Sequence, residues 1–107
     1  MKSFHDDLKS RWKSLTIYEQ MANIGAEVGR AISWKNKGNA EISRNAFYRA
    51  LELIDFSVDA YTGKPALREI LRMREMLVDY FYGDNEYNST DEVWNKYFYY
   101  YNLAARS

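Results

Sequence analysis

Apolar residues recur every three or four positions through most of this chain, which is the spacing that places them on one face of an α-helix. The pattern forms four stripes, and short polar segments separate each stripe from the next. Their leading members are Ile17, Met21, Ile24, Val28 and Ile32; Ile42, Ala46, Ala50 and Leu53; Leu67, Ile70, Leu77 and Phe81; and Val93, Trp94, Tyr97, Phe98 and Tyr101. The pattern predicts four long helices.

Helix-start signals precede three of the four stripes. Thr16 and Glu19 form a capping-box pattern, in which the hydroxyl and the carboxylate each bind a backbone N–H at the start of the helix. Ser89 and Glu92 repeat that pattern before the fourth stripe, and Asn39 is a favourable N-cap for the second helix. These signals set the predicted starts of the helices.

Glycine and proline mark the predicted breaks. Gly38 is expected to stop the first long helix, and the Gly- and Pro-containing segment 62–65 separates the second helix from the third. Because short connections make neighbouring helices antiparallel, the predicted fold is all-α, an up-down bundle of four main helices plus a short N-terminal helical segment. Residues 1–107 form a single helical-bundle domain in this prediction, and residues 1–15 could be a loosely docked N-terminal arm.

Two glycines, Gly25 and Gly29, lie one turn apart inside the first long helix. Each lowers helix propensity by up to ~1 kcal/mol, so the pair predicts close approach of a neighbouring helix. The side chains expected to anchor the core are Trp34, Phe47, Leu53, Leu77, Phe81, Trp94 and Phe98.

The composition argues against several kinds of chemistry. The chain has no cysteine and one histidine, His5, which removes thiolate metal sites, thiol nucleophiles and a histidine-bearing di-iron core. The glycines at 25 and 29 lie within a helix and so do not form a phosphate-binding loop. We therefore predict no catalytic residue, no metal site and no cofactor.

Charge and hydropathy bear on partners and location. The chain has 15 basic and 15 acidic residues, and this zero net charge argues against nucleic acid as a partner and leaves room for self-association. No stretch approaches the ~18 apolar residues that a membrane span needs. Acidic residues Asp6 and Asp7 stand where a signal peptide has its apolar core. The expectation is a cytoplasmic protein with no membrane partner.

Four charged residues beside the apolar stripes admit two interpretations. Arg74 falls within the third stripe and Arg72 lies close by, while Glu27 and Glu52 border the first and second stripes. An inward-facing arginine needs a carboxylate, since an unpaired buried charge is costly. The four residues form either a polar pocket for an anionic ligand or structural salt bridges at the helix flanks.

Tyrosine is unusually abundant, with ten in the chain. Tyr99 and Tyr100 exceed what one buried helix face needs, and Tyr82 and Tyr87 lie in or beside the preceding loop. Because tyrosine is enriched at protein interfaces, these four residues are candidates for a protein–protein contact. Ordinary surface positions and stacking of nucleic-acid bases are the alternatives.

The chain resembles the HEPN family of helical bundles between about residues 22 and 105. The matching features are Ala31-x-x-Trp34, the Gly38 turn, Ala46-x-x-x-Ala50-x-Glu52 and a C-terminal helix after a tyrosine-rich loop. HEPN bundles often dimerise, and many are RNA-cutting toxins or partners of nucleotidyltransferases. Their cleavage motif, an arginine followed by a histidine, is absent because no histidine follows His5. The resemblance therefore implies a non-catalytic bundle.

A shorter stretch resembles the turn and second helix of a tetratricopeptide repeat. The matching residues are Gly38, Asn39, Ser43, Phe47 and Ala50. No similar segment recurs at the roughly 34-residue period of that family, which excludes a repeat array.

The expected function is a small non-catalytic helical module that binds a protein partner or self-associates, most simply as a dimer. The alternative is a ligand- or RNA-related bundle that uses an Arg/Glu pocket between helices.

Overall fold

Five α-helices make up the part of the chain that the structure describes. The computed structural model describes residues 4–107, with side chains from residue 8 onward. The helices are α1 (Phe4–Trp12), α2 (Ile17–Asn36), α3 (Ala40–Ala60), α4 (Ala66–Tyr82) and α5 (Asp91–Arg106). The all-α prediction of four main helices and a short N-terminal helix is confirmed.

The predicted capping signals of α2 and α3 are present. The Thr16 hydroxyl accepts from the Glu19 N–H at 3.1 Å, and the Glu19 carboxylate accepts from the Thr16 N–H at 2.9 Å. The Asn39 side chain accepts from the Ile42 N–H at 3.1 Å. Between these helices, Gly38 takes a φ of +84°, a left-handed conformation that glycine adopts without steric cost and that ends α2.

The cap of α5 lies one residue later than the sequence pattern indicates. Thr90, not Ser89, is the N-cap, and its hydroxyl accepts from the Val93 N–H at 3.1 Å. Ser89 instead belongs to the preceding turn, where its N–H donates to the Asn85 side chain at 2.8 Å and its carbonyl accepts from that side chain at 3.0 Å. The turn therefore decides which hydroxyl reaches the start of the helix.

Helix α2 packs against both α3 and α5, while α3 also contacts α4 and α1. Ser43, early in α3, donates to the Ala31 carbonyl of α2 at 2.6 Å, and Ser57, late in α3, donates to Gln20 of α2 at 2.7 Å. Contacts between opposite ends show that the two helices are antiparallel.

The remaining long helices continue this up-down order. Phe47 and Phe81 stack with ring centroids 4.4 Å apart, which places the end of α4 beside the first half of α3. At the start of α5, Asp91 binds Lys35 near the end of α2. Tyr101, late in α5, contacts Tyr18 at the start of α2, with ring centroids 6.4 Å apart. Each long helix therefore runs antiparallel to the one it packs against.

Among the side chains that the structure describes, sixteen apolar ones are buried together at the centre of the bundle. They are Trp12, Met21, Ile24, Val28, Ala31, Ile32, Ala46, Phe47, Ala50, Ile54, Phe56, Ile70, Met73, Leu77, Trp94 and Phe98. Four of the expected anchors belong to this core, and the predicted anchors Leu53 and Phe81 pack against it while partly exposed. Trp34 is the exception.

Trp34 lies outside the core, contrary to the sequence expectation. The buried face of α2 contains Ile24, Val28 and Ala31, and Trp34 lies at the border of that face on the last turns of the helix. The Lys37 ammonium lies 4.7 Å from the centre of its indole ring, a cation–π contact at the partly exposed surface.

Of the two α2 glycines, only Gly25 is closely packed. A Cβ built at Gly25 would lie 2.6 Å from Cβ of Phe98 on α5, a distance that real side chains do not adopt. A Cβ at Gly29 would have nothing within 4 Å. The predicted close helix approach is therefore confirmed at Gly25, and Gly29 faces an open groove.

A buried hydrogen-bond network joins the end of α1 to the bundle. The Trp12 indole donates to the Ser57 hydroxyl at 2.9 Å, and that hydroxyl donates to Gln20 at 2.7 Å. The Gln20 amide in turn donates to the Trp12 carbonyl at 3.1 Å. All three side chains are buried, and because each has a partner, the network avoids the cost of unsatisfied buried polar groups.

We expect Gly25→Ala to destabilise the protein and Gly29→Ala to stabilise it. Alanine gains about 1 kcal/mol of helix propensity at either position. At Gly25 the added Cβ would clash with Cβ and Cγ of Phe98, close to the α5 backbone, so the cost should lie toward the upper end of the about 1–3 kcal/mol typical of overpacking and outweigh that gain. Denaturant unfolding of both variants measures the two effects, and equal stabilisation by both alanines would contradict the close α2–α5 contact.

Candidate interaction surface

The outward face of α5 carries large, exposed, mostly apolar side chains. Val93 is 51% exposed, Tyr99 54%, Tyr100 59% and Leu103 42%. We call these four residues the α5 surface. Isolated exposed apolar residues are normal, but a group along one helix is typical of a contact site.

The rotation of α5 explains why these residues point outward. Trp94 and Phe98 are buried against the bundle, and Phe98 lies against Gly25 without room for rotation of the helix. Since successive residues turn by about 100°, Leu103 lies about 140° around the helix from Phe98. Tyr99 and Tyr100 then lie on opposite sides of the direction in which α5 faces away from the bundle.

A polar cluster fixes the beginning of α5. The Asp91 carboxylate accepts from the Lys35 ammonium at 2.9 Å, from Asn36 at 3.0 Å and from the Tyr80 hydroxyl. Lys35 also donates to the Tyr80 hydroxyl at 3.0 Å. These bonds join the end of α2, the end of α4 and the first turn of α5.

The cluster shifts the pKa values of its members. Burial alone would raise the pKa of Asp91, but the hydrogen bonds from Tyr80, Lys35 and Asn36 outweigh it and hold that pKa below its usual value. Burial alone would lower the pKa of Lys35, and the bonds to Tyr80 and Asp91 raise it instead. The ionised pair therefore stabilises the fold.

Tyr97 makes the second link between α5 and α4. Its hydroxyl donates to Glu69 at 2.9 Å, and its ring packs edge-on against Trp94 with centroids 5.5 Å apart. Burial, together with the neighbouring Tyr101 and Glu69, raises the pKa of the Tyr97 hydroxyl far above its ordinary value. Tyr97 is thus committed to packing, unlike Tyr99 and Tyr100.

The four tyrosines predicted as interface residues fall in three places. Tyr99 and Tyr100 share the α5 surface. Tyr82, at the end of α4, stacks on Tyr48 of α3 with ring centroids 6.2 Å apart. Tyr87 lies in the loop before α5, where the negative charge of Glu75 and its hydrogen bond raise the pKa of the Tyr87 hydroxyl.

The four charged residues predicted to form a pocket are also distributed. Glu52 and Arg74 line one groove beside α3, whereas Arg72 lines a different groove along α4. Arg74 donates to Asp55 at 2.9 Å. A carboxylate three residues beyond Glu52 thus supplies a partner for the arginine.

Glu27 belongs to neither groove. It is 9% exposed, and its carboxylate accepts from Arg49 of α3 at 2.9 Å and from Arg30 of α2. Two guanidinium groups compensate this buried charge, so its geometry is that of a structural ion pair between α2 and α3.

Sequence reasoning did not identify Val93 and Leu103 as surface residues. Val93 falls within the apolar stripe of the fourth helix, so the spacing alone placed it inward. Val93 lies about 100° around the helix from Trp94. That angle indicates an exposed position only once Trp94 and Phe98 are known to be buried.

No group of three His, Cys, Asp or Glu side chains that could hold a metal ion occurs within the described residues. The His5 side chain lies outside the described part. None of the helices in residues 4–107 is long and apolar enough to span a membrane.

Comparisons of the chain with protein-family models, with curated proteins and with solved structures find no match.

We expect Asp91→Asn to destabilise the protein by about 1 kcal/mol at neutral pH, because it removes a charge from a partly buried, hydrogen-bonded pair. Since the pKa of Asp91 is lowered in the folded state, the stability difference from wild type is full above the usual aspartate pKa. The difference shrinks as the pH falls through the lowered pKa.

Denaturant unfolding across the acid range measures this difference. Asp84→Asn, in the exposed loop before α5, is the control and should change stability little at any pH. A gap between wild type and Asp91→Asn that is constant down to low pH would contradict the role of the ionised carboxylate.

Proposed function

We propose that this protein is a small, non-catalytic helical interaction module that binds a protein partner, or a second copy of itself, through the α5 surface. The observation that carries the proposal is the group of four exposed apolar and aromatic side chains on the outward face of α5. The opposite face of the same helix already supplies Trp94 and Phe98 to the core.

The α5 surface has the composition of a binding site. Tyr99 and Tyr100 each have a large ring with a polar hydroxyl, and such residues are enriched at interfaces and among binding hot spots. A tyrosine can bury about 150–250 Å² in total, so two rings that are half exposed offer substantial area to a partner.

The α5 surface is also held rigidly. Gly25 fixes its rotation, and the Asp91 cluster fixes its first turn. A preorganised surface loses less conformational entropy on binding, which favours affinity for a partner. The zero net charge of the chain adds no long-range repulsion between copies or toward a neutral partner.

A second candidate function is binding of an anionic ligand along α4. A groove of about 770 Å³ is lined by Lys64, Arg68 and Arg72, and Glu75 is the one acid among its described lining residues. This groove retains Arg72 from the pocket expected in the sequence. Because this groove opens widely to solvent, we favour the α5 surface as the main site.

The proposal predicts covalent capture of a protein at position 100. The photoreactive amino acid benzoylphenylalanine replaces Tyr100, and the cells that express the variant are irradiated. Tyr48 is the matched control, because it is also a helical tyrosine, is 53% exposed and packs beside Tyr82.

We expect protein adducts at position 100 and few at position 48, as seen by denaturing electrophoresis and mass spectrometry. Adducts to this same chain and adducts to another protein both support the proposal. Absence of adducts at position 100, or equal capture at both positions, would overturn it.

A further inference from the structure

We infer that the Tyr99 side of the α5 surface binds the same face of a second copy of this chain, with the two α5 helices antiparallel and a twofold axis beside Tyr99. Tyr100 lies about 100° around the helix from Tyr99, at the edge of this contact. This inference rests on the proposed function and names its partner. The argument comes from the charged residues that flank the α5 surface.

Glu92 and Arg106 are placed symmetrically about Tyr99. Glu92 precedes Tyr99 by seven residues and Arg106 follows it by seven, and all three are exposed. Seven residues are close to two helical turns, so the three side chains lie on one face, with about 10 Å between successive members. In an antiparallel pair centred on Tyr99, Glu92 of each copy lies opposite Arg106 of the other.

The same charges disfavour the parallel arrangement. A parallel twofold pair would place Glu92 opposite Glu92 and Arg106 opposite Arg106 of the second copy, which is repulsive at both ends. The antiparallel pair turns these two contacts into two attractions. Charge therefore selects both the direction and the centre of the pairing.

The positions between the centre and the ends are also compatible with this register. Lys96 lies opposite Asn102 of the second copy, and Asn95 lies opposite Leu103, so no like charges meet. Tyr99 meets Tyr99 of the second copy on the axis, where two rings can pack.

The surface beside α5 leaves room for a second chain. A groove between α2 and α5 is lined by Ala22, Ala26, Gly29, Tyr99 and Asn102 among others. The α2 members are small, and a Cβ at Gly29 would meet nothing. A partner helix can therefore lie along α5 without a clash from the neighbouring helix.

The expected dimer is a modest one. Helix α5 has 16 residues and is therefore about 24 Å long. A single helix face of that length covers less than the roughly 800 Å² per partner that is typical of stable interfaces. The dimer should therefore dissociate on dilution.

A cysteine scan tests the centre of the pairing. The chain contains no cysteine, so each single-cysteine variant reports on one position only. When two packed helices lie about 8–10 Å apart, a residue beside the twofold axis comes within disulfide-forming distance of its copy in the partner. We expect Tyr99→Cys to form a disulfide-linked dimer under mild oxidation much faster than the exposed control Tyr48→Cys.

Charge reversal tests the direction. We expect Glu92→Arg and Arg106→Glu each to raise the dimer dissociation constant by about tenfold, and the double reversal to restore it to within about threefold. Glu41→Arg is the control, because it removes an exposed acid from the first turn of α3 at the same cost to its helix. Sedimentation equilibrium measures the association, and circular dichroism verifies that each variant is folded.

Equal crosslinking of the two cysteine variants, or a double reversal that fails to restore the dimer, overturns the inference. The two proposals fail separately. If benzoylphenylalanine at position 100 captures a different protein while Tyr99→Cys remains monomeric, the self-pairing is wrong and the interaction module stands. If neither experiment captures a protein, both are wrong.

Discussion

The contact between Gly25 and Phe98 sets the rotation of α5, and the accessible face of the protein depends on that rotation. With no side chain at Gly25, the Phe98 ring reaches the backbone of α2, and a Cβ there would lie 2.6 Å from Cβ of Phe98. Once Phe98 is seated, Trp94 one turn earlier is also buried. The remaining α5 side chains then have fixed directions, and Tyr99 and Tyr100 point away from the bundle.

Two polar contacts to the neighbouring helices also hold α5 in this rotation. Asp91 joins the first turn to Lys35, and the Tyr97 hydroxyl joins the middle of the helix to Glu69 of α4. Among the described helices, α4 and α5 have few close backbone contacts with each other, so large side chains bridge them instead. The result is a helix with one face committed to the core and the other held rigid and open to a partner.

Local features of the fold could be predicted from the sequence, whereas the contacts of the candidate site could not. The caps at Thr16 and Asn39 depend on residues three positions away, so the sequence pattern is sufficient. The partner of Arg74 is Asp55, and that pairing depends on how α3 and α4 rotate against each other. The partial exposure of Trp34 likewise depends on which face of α2 the neighbouring helices cover. The sequence shows that Tyr99 and Tyr100 are not needed for the buried face of α5. That both are exposed on the outward side of the helix follows only from the packing of Phe98.

Concentration-dependent footprinting of the tyrosines tests the central claim most directly. Hydroxyl-radical labelling, read by mass spectrometry, reports the accessibility of each exposed tyrosine in the unmodified protein, and Tyr48 and Tyr82 serve as internal references on another face. As the protein concentration rises, labelling of Tyr99 should fall, and that of Tyr100, at the edge of the contact, should fall less, while that of Tyr48 and Tyr82 stays constant. Labelling of all four that is independent of concentration, or protection of the Tyr48 and Tyr82 pair alone, would contradict an α5 surface that pairs with itself.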